Sequence, residues 1–208
     1  MKNVFITGGA GYIGSHCAVS LIKNGYNPII LDNFSTSHRS VIKNLEIITD
    51  KKITFYNIDI RDKRKLRSIF KKNPCYAVIH CAGFKSVAES VQRPIHYYDN
   101  NIRSTLSLLE CMERSDVFKL IFSSSAAVYD DNQLPPLKEK DKTGYIKNPY
   151  GNTKYIIERI LVDLAKSDNR WSIRIARYFN PISNHSSGLI KENPKGTPNN
   201  LVPCIIKV

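Results

Sequence analysis

A glycine-rich turn near the N-terminus constrains the fold of this chain more than any other feature. Gly8, Gly11 and Gly14 recur at a spacing of three, directly after the strand-like run Asn3 to Thr7 and at the start of a helical pattern. Glycines let the backbone turn tightly and approach a pyrophosphate, whose charge then faces the free N–H groups of the helix start. A glycine triplet alone is a weak signal, but its position between a strand and a helix predicts a nucleotide-binding turn.

Asp32 makes the nucleotide prediction more specific. It ends the second predicted strand, 18 residues after Gly14. A carboxylate at that place accepts hydrogen bonds from the adenosine ribose hydroxyls and repels a 2′-phosphate. The sequence therefore predicts NAD as the cofactor, in preference to NADP.

Short β-branched runs alternate with helical patterns over the first 180 residues, which is typical of a doubly wound parallel sheet. The predicted strands are 3–7, 28–32, 53–59, 76–81, 119–124 and 172–178, and the predicted helices are 12–24, 39–48, 62–72, 94–114 and 149–166. The apolar continuity of the strands predicts burial on both faces of the sheet. We therefore expect an α/β, Rossmann-type, NAD-binding domain over residues 1–180.

The chain changes character after Phe179. Turn-forming pairs such as Asn180-Pro181 and Asn193-Pro194 follow in close succession, and a last apolar stretch, Leu201 to Val208, has no capping residue after it. A second lobe typically needs on the order of 100 residues. We therefore expect residues 181–208 to be the start of an incomplete C-terminal substrate lobe, and we expect this chain to bind NAD without measurable turnover.

Composition and charge exclude several other classes of protein. No apolar run approaches the roughly 20 residues of a membrane-spanning helix, so we expect a cytoplasmic protein with no membrane partner. The formal net charge of +13 resembles a nucleic-acid signal, and Arg61 to Lys72 is strongly basic. Within that stretch Leu66, Ile69 and Phe70 mark the core face of an amphipathic helix, so the basic residues form its solvated face. We therefore expect no nucleic-acid partner.

The five cysteines are expected to be free thiols. They include no Cys-x-x-Cys pair and no His or Cys at zinc-ligand spacing. The sequence therefore predicts no metal site.

The candidate catalytic residues are Ser125, Tyr150 and Lys154. Ser125 follows the fifth predicted strand, while Tyr150 and Lys154 open the next helix one turn apart, with Cβ atoms about 6 Å from each other. A phenol has a pKa near 10, and lowering that pKa by about 3, to make a base near pH 7, requires roughly 4 kcal/mol. We expect the Lys154 ammonium and the positive ring of an oxidised cofactor to lower the pKa of Tyr150. Ser125 is expected to hydrogen-bond the substrate hydroxyl.

Together these residues resemble the extended short-chain dehydrogenase/reductase superfamily and, within it, the UDP-glucose 4-epimerase family. The segments that carry the resemblance lie in the family's order and are Gly8 to Ser15, Leu31 to Asn33, Tyr97 to Asn101, Ser123 to Val128, Arg177 to Pro181 and Pro198 to Leu201. The resemblance implies epimerisation at C4 of a UDP-hexose through a transient 4-keto sugar, with Tyr150 as the base. It also implies a homodimer.

With the glycine turn, the resemblance implies a set of residues that contact NAD. They are Gly8, Gly11, Tyr12, Ile13, Gly14, Asp32, Asn33, Phe34, Ser35, Thr36, Ser37, Asp59, Ile60, Cys81, Ala82, Gly83, Phe84, Lys85, Asn100, Ser125, Tyr150, Lys154 and Phe179. A UDP-hexose site is implied at Ser125, Tyr150, Asn180 and Asn200. For Asp59 a helix-capping role is as compatible with the sequence as an adenine contact, and Lys85 is equally compatible with a solvent-facing lysine.

Three alternatives stay open. A sugar-nucleotide dehydratase or decarboxylase of the same superfamily is disfavoured because Ala126 and Ala127 stand where those relatives place carboxylates. An epimerase of an N-acetylated hexose is compatible with the sequence, since the pocket that senses the 2-substituent is not in it. An NAD-binding module without turnover is favoured by departures from the family: Ala127 replaces a hydroxyl residue, Asp130 replaces glycine, and Ser183 and Asn184 replace smaller residues.

Two further expectations concern the turn at Asp130 and the surfaces of two helices. Asp130 is expected to strain a turn if that position needs a positive φ. The helices 94–114 and 149–166 carry apolar residues beyond one core-facing stripe, which predicts that they pair two subunits, with burial inside the chain as the alternative.

Overall fold

A parallel six-stranded sheet forms the centre of the computed structural model, which describes residues 1–195 and 204–205. Its strands are β1 (Asn3–Thr7), β2 (Asn27–Asp32), β3 (Thr54–Asn57), β4 (Ala77–His80), β5 (Lys119–Ser125) and β6 (Ser172–Tyr178). Their order in the sheet is β3-β2-β1-β4-β5-β6, and every neighbouring pair is parallel. The predicted doubly wound fold is thereby confirmed. The strand order reverses between β1 and β4, and open α/β sheets bind ligands at such a switch point.

Seven α-helices flank the sheet in the described part of the chain. They are α1 (Tyr12–Lys23), α2 (Ser40–Thr49), α3 (Lys63–Lys72), α4 (Val87–Gln92), α5 (Pro94–Tyr98), α6 (Ser104–Glu113) and α7 (Pro149–Ser167). A π-helical turn, Asp99–Arg103, joins α5 to α6, and a short 3₁₀ turn, Ala126–Val128, follows β5. The single helix predicted over 94–114 is therefore wrong in detail, because the π turn interrupts it.

Alternating residues of the strands pack into two hydrophobic cores, one on each face of the sheet. Phe5 of β1 lies in one core, together with Leu66 of α3 and Leu161 of α7. Ile6, the next residue of β1, lies in the other core with residues of α1 and α2. This alternation follows from the two-residue period of a strand. The prediction of strands buried on both faces is confirmed for the central strands.

Helix α3 has the amphipathic form that the sequence predicts. Leu66, Ile69 and Phe70 are buried, whereas Arg64 and Lys65 are exposed. Within residues 1–195 and 204–205 no helix combines the length and apolar character needed to cross a membrane. The same residues contain no cluster of three or more His, Cys, Asp or Glu side chains that could hold a metal ion.

Candidate active site

The glycine turn lies at the switch point of the sheet, between β1 and α1. Gly8 has a φ of +65°, and a Cβ added to it would lie 2.7 Å from the backbone nitrogen of Ala82. A Cβ added to Gly14 would lie 2.4 Å from the carbonyl oxygen of Gly8. Helix α1 begins after Gly11 without a side-chain cap, which leaves N–H groups of its first turn available to an anion. The turn therefore forms a cradle that side chains would fill.

The carboxylate of Asp32 joins the glycine turn to the loop after β2. Its Oδ2 accepts a hydrogen bond from the backbone N–H of Ala10 at 3.0 Å. Its Oδ1 accepts from the N–H of Phe34 at 2.8 Å and from the Ser37 hydroxyl at 3.1 Å. Asp32 is only 8% exposed, so an anion approaching this loop would meet a buried carboxylate. This arrangement suits the ribose hydroxyls of NAD better than a 2′-phosphate.

The remaining residues of this loop lie around Phe34, which has a left-handed φ of +54°. Asn33 Oδ1 accepts a hydrogen bond from the N–H of Ser35 at 3.0 Å. The Thr36 carbonyl accepts one from the N–H of Lys195. The loop predicted to contact NAD is thus ordered by its own residues and by the segment after β6.

Asp59 is held by an arginine that sequence reasoning missed. Arg61 binds it through two nitrogens, with Nε at 3.0 Å from Oδ1 and Nη2 at 2.6 Å from Oδ2, and its Nη1 also pairs with Asp99. The guanidinium holds the pKa of Asp59 below its usual range. The capping role considered for Asp59 is wrong, because Asp62 caps α3 by accepting from the N–H of Lys65.

The loop after β4 is held by Asn101 rather than by Asn100. Asn101 Oδ1 accepts from the N–H of Phe84 at 2.8 Å, and its Nδ2 donates to the Phe84 carbonyl at 3.1 Å. Asn100 lies beside it, half-buried, and donates from Nδ2 to the same Oδ1 at 3.0 Å. The doubled asparagine is the only signal in the sequence for this arrangement. Lys85, an exposed side chain, forms an ion pair with Glu192.

Helix α7 positions Tyr150 and Lys154. The helix begins at Pro149, and the Asn148 side chain caps it by accepting from the N–H of Gly151 at 2.8 Å. Tyr150 therefore lies in the first turn, and Lys154 follows one turn later on the same face. Ser125, at the end of β5, lies near enough to the Tyr150 phenol to lower its pKa. The structure thus brings the three candidate catalytic residues to the carboxyl end of β5.

The Lys154 ammonium is buried and directed at a strand-end carbonyl. Its Nζ donates to the Ser123 oxygen at 2.7 Å and lies 4.8 Å from the centre of the Phe122 ring. Burial lowers the pKa of Lys154 to about 8. Burial also raises the pKa of Tyr150, and the nearby Ser125 hydroxyl offsets part of that rise. Lys154 is not among the groups that shift the pKa of the phenol in this arrangement, in which its ammonium binds Ser123. The expectation that Lys154 and an oxidised cofactor together lower that pKa stays a prediction.

A second charged residue that sequence reasoning missed lies one turn beyond Lys154. Glu158 is 5% exposed, and its Oε1 accepts from the Ser124 hydroxyl at 2.5 Å and from Arg177 Nε at 3.0 Å. Its Oε2 accepts from Arg177 Nη2 at 2.7 Å. The network ties β5, β6 and α7 together next to the candidate catalytic residues. Glu158 follows Lys154 by four residues, on the same helix face, and this spacing is the sequence signal that could have identified it.

The segment after β6 runs back towards α1 and α2. Tyr12 donates from its hydroxyl to the Ser183 carbonyl at 2.7 Å, and Lys195 Nζ donates to the Phe34 carbonyl at 2.6 Å. Phe179 is 57% exposed, and Asn180 is also exposed. Asn200, predicted to contact the sugar nucleotide, lies outside the described residues.

The other predicted contacts lie around the glycine turn and the end of β4. Ile13 is half-buried in the first turn of α1, and Ile60 is buried after β3. Cys81 follows β4, and burial together with the neighbouring Cys17 raises the pKa of its thiol. A Cβ added to Gly83 would lie 3.2 Å from Asn101 Oδ1.

Asp130 does not strain its turn. The non-glycine residues with a left-handed φ in the described chain are Phe34, Asp50, Asp116 and Tyr145. The Asp130 carboxylate instead accepts from the N–H and the Nδ2 of Asn132, both at 2.9 Å. The expected strain is therefore wrong, and this departure gives no support to a module without turnover.

A family model and individual relatives both place this chain among the NAD dependent epimerases and dehydratases. The model of the NAD dependent epimerase/dehydratase family matches residues 4–208. A UDP-glucose 4-epimerase from Neisseria meningitidis serogroup C is 50% identical over 208 residues, which is all of this chain and 61% of the relative. A UDP-glucose 4-epimerase from Bacillus subtilis is 47% identical over 205 residues and is matched over 60% of its length.

Solved structures give the same result. The crystal structure of UDP-glucose 4-epimerase from Bifidobacterium longum in complex with NAD+ and UDP superposes with a TM-score of 0.97 at 45% identity. The match covers 99% of this chain and 62% of that one. This chain therefore spans about three fifths of the length of the relatives that it matches.

Proposed function

Because this chain belongs to the NAD dependent epimerase/dehydratase family, we propose that it is the NAD-binding part of an enzyme that inverts C4 of a UDP-hexose. The observation that carries the proposal is the set Ser125, Tyr150 and Lys154 at the carboxyl end of β5, close to the glycine cradle. The similar proteins named UDP-glucose 4-epimerase supply the substrate class. We assign residues 1–180 to the NAD-binding domain and residues 181–208 to the start of the substrate-binding lobe.

The cofactor assignment is supported by the glycine cradle and by Asp32. Gly8 and Gly14 leave space that a Cβ would occupy, and we propose that the pyrophosphate of NAD lies there, against the start of α1. The buried Asp32 carboxylate would hold the adenosine ribose. Calorimetry on this chain is expected to show NAD bound at least tenfold more tightly than NADP. Equal affinities would overturn the assignment of Asp32.

In the proposed mechanism Tyr150 takes the proton from the sugar 4-hydroxyl. NAD, when bound, supplies a reversible hydride acceptor for the sugar C4. Ser125 lies beside the phenol and would orient the same sugar hydroxyl by a hydrogen bond. Because burial raises the pKa of Tyr150, a phenolate there needs a nearby positive charge. Lys154 carries that charge one turn away and keeps its proton at neutral pH, since its pKa is about 8.

The proposed reaction is tested in a chimera in which the C-terminal part of the Neisseria meningitidis relative completes the chain. Conversion of UDP-galactose to UDP-glucose is followed with a coupled assay. Tyr150→Phe is expected to lower turnover by at least 10³-fold with the NAD dissociation constant within about twofold, because it removes a proton acceptor and little packing. Lys154→Met is expected to impair both turnover and NAD binding.

The matched control is Tyr155→Phe, the same chemical change at the next tyrosine of α7. Tyr155 packs against Gly144, away from Ser125, so this variant is expected to retain turnover. Full activity of Tyr150→Phe would refute the assignment of the base. NAD binding by an intact chimera without conversion of UDP-galactose or its N-acetylated analogue would instead favour the module without turnover.

We further propose that the complete protein is a cytoplasmic homodimer. Exposed apolar side chains on α4, α5 and α6 support the dimer, with Val91 61%, Ile95 82% and Leu106 41% exposed. Free thiols at Cys17, Cys75 and Cys111 favour a reducing compartment. Sedimentation of the chimera is expected to give the mass of a dimer, and a monomer at high concentration would contradict this.

A further inference from the structure

Asn101 lies in the π-helical turn with every hydrogen-bonding position of its side chain occupied. Oδ1 accepts from the Phe84 N–H at 2.8 Å and from Asn100 Nδ2 at 3.0 Å. Nδ2 donates to the Phe84 carbonyl at 3.1 Å and to Thr153 Oγ1 at 3.0 Å. A side-chain amide can make these two donor and two acceptor bonds at one place, whereas a carboxylate only accepts. Asn101 is 2% exposed, so these bonds do not compete with solvent.

The partners of Asn101 belong to two different parts of the candidate site. Phe84 lies in the loop after β4 that is proposed to contact NAD. Thr153 lies on α7 between Tyr150 and Lys154, and its hydroxyl donates to the Tyr150 carbonyl at 2.7 Å. A single buried side chain therefore links the cofactor loop to the first turn of the catalytic helix.

A chain of hydrogen bonds, from Thr7 through His80 and Thr105, ends on the backbone carbonyl of Asn101. Thr105 Oγ1 donates to the Asn101 carbonyl at 2.7 Å, so it accepts from His80 Nε2 at 2.9 Å. His80 Nδ1 then accepts from the Thr7 hydroxyl at 2.6 Å. Burial lowers the pKa of His80 to about 3, which keeps the ring neutral and this tautomer in place at physiological pH. The turn that carries Asn101 is thus anchored to β1 and β4.

We propose that Asn101 is a positioning residue that couples the cofactor loop, residues 82–85, to the start of α7. The coupling rests on the proposed function in one respect only, the role of that loop in holding NAD. When the loop is held by Asn101, the same amide fixes Thr153 and the turn that carries Tyr150. Binding at the loop and the position of the phenol are therefore linked through one side chain.

The test uses the backbone amide of Phe84. Its N–H donates to Asn101 Oδ1 and is not bonded to Thr153. Its hydrogen exchange is measured by NMR in the 208-residue chain without ligand. Thr153→Val removes the acceptor of Asn101 Nδ2 and is expected to speed exchange of the Phe84 amide about tenfold, as loss of one buried hydrogen bond would. Thr153→Ser keeps the hydroxyl and is expected to restore exchange to within twofold of the parent chain. NAD affinity, measured by calorimetry, is expected to follow the same order.

Ser107→Ala is the matched control. Ser107 is fully buried on α6, and in the described part of the chain its hydroxyl has no hydrogen-bond partner. This variant is expected to leave the Phe84 amide and NAD affinity unchanged. Asn101→Asp, which loses both donors, is expected to speed Phe84 exchange at least as much as Thr153→Val.

The proposal is overturned if Thr153→Val leaves the Phe84 amide unchanged. It is also overturned if that variant speeds all core amides equally, since a general loss of stability would then account for the effect. If Asn101→Asp does not fold, the two Thr153 variants decide the question alone. The exchange measurement needs no NAD and no UDP-hexose, so its result does not depend on whether the proposed reaction occurs. The result of the epimerase assay likewise does not depend on the coupling through Asn101.

Discussion

The buried histidine His80 predicts a steep loss of stability in mild acid. An unfolded histidine has a pKa of about 6.5, whereas burial, helped by the charge of Lys154, lowers the pKa of His80 in the fold to about 3. Between these values the unfolded state binds a proton that the folded state does not. The free energy of unfolding therefore falls as pH falls, by about 1.4 kcal/mol per pH unit. Integrated from pH 7.5 to pH 4.5, the loss is about 2.7 kcal/mol, a large share of the 5–15 kcal/mol typical of a domain.

Urea unfolding between pH 4.5 and 7.5 measures this loss. Trp171, the only tryptophan, is 6% exposed and serves as the fluorescence probe. The range stops at pH 4.5 because the carboxylates that are paired in the fold, such as Asp59, have pKa values held below their usual range and stay ionised there. The parent chain is compared with His80→Gln, which keeps an amide donor and acceptor but does not titrate.

The expected result is a difference of about 2.7 kcal/mol between the two chains in the stability lost from pH 7.5 to 4.5. Equal slopes for the parent chain and His80→Gln would refute the reasoning, since His80 would then bind its proton equally well in both states.

Three other predictions follow from contacts in the site. Gly14→Ala is expected to abolish NAD binding measured by calorimetry, because the new Cβ would lie 2.4 Å from the Gly8 carbonyl oxygen; retained affinity would refute the cradle. Glu158→Gln is expected to cost about 3 kcal/mol in urea unfolding at pH 7, because it leaves the Arg177 charge unpaired; a loss below 1 kcal/mol would contradict that. Because the pKa of Lys154 is about 8 in the fold and about 10.4 unfolded, stability should rise between pH 8 and 10 relative to Lys154→Met. Parallel curves would contradict a buried ammonium.

Elements with strong local signals were predictable from the sequence. The bounds of β1 and β6 match the prediction, and α1 and α7 differ from it by one residue at one end. These elements combine apolar periodicity with clear boundary residues, such as the glycine turn before α1 and Pro149 at the start of α7. Their position was therefore a local property of the chain.

Helix α4 was not predicted, although a local signal for it exists. Ser86 caps the helix by accepting from the N–H of Glu89 at 3.3 Å. Serine followed three residues later by glutamate is the sequence pattern of a capping box. The helix is only six residues long, too short for apolar periodicity to show.

The π-helical turn has no comparable local signal. The side chain of Asn101 bonds to a loop 17 residues earlier in the chain and to Thr153 of α7, 52 residues later. The turn is therefore stabilised by tertiary contacts that no window of sequence contains. The resemblance implied an NAD contact for Asn100, whereas nothing in the sequence indicated that Asn101 holds the loop after β4.

Residue spacing predicted the relative position of Tyr150 and Lys154 but not their charge states. The four-residue separation of Tyr150 and Lys154 was sufficient to predict one shared helix face, but not where the ammonium points. The β4–β5 ladder ends at Phe122. The carbonyl of Ser123, the next residue and a buried one, takes the hydrogen bond that spacing alone would assign to the phenol. Burial then acts on both groups, raising the pKa of the phenol and lowering that of the ammonium. Burial thus favours the neutral phenol and the neutral amine, whereas a phenolate and an ammonium would stabilise each other. Removal of the Tyr150 proton is therefore coupled to the charge and direction of Lys154. The pH dependence of turnover should therefore report apparent pKa values of the pair, and not of Tyr150 alone.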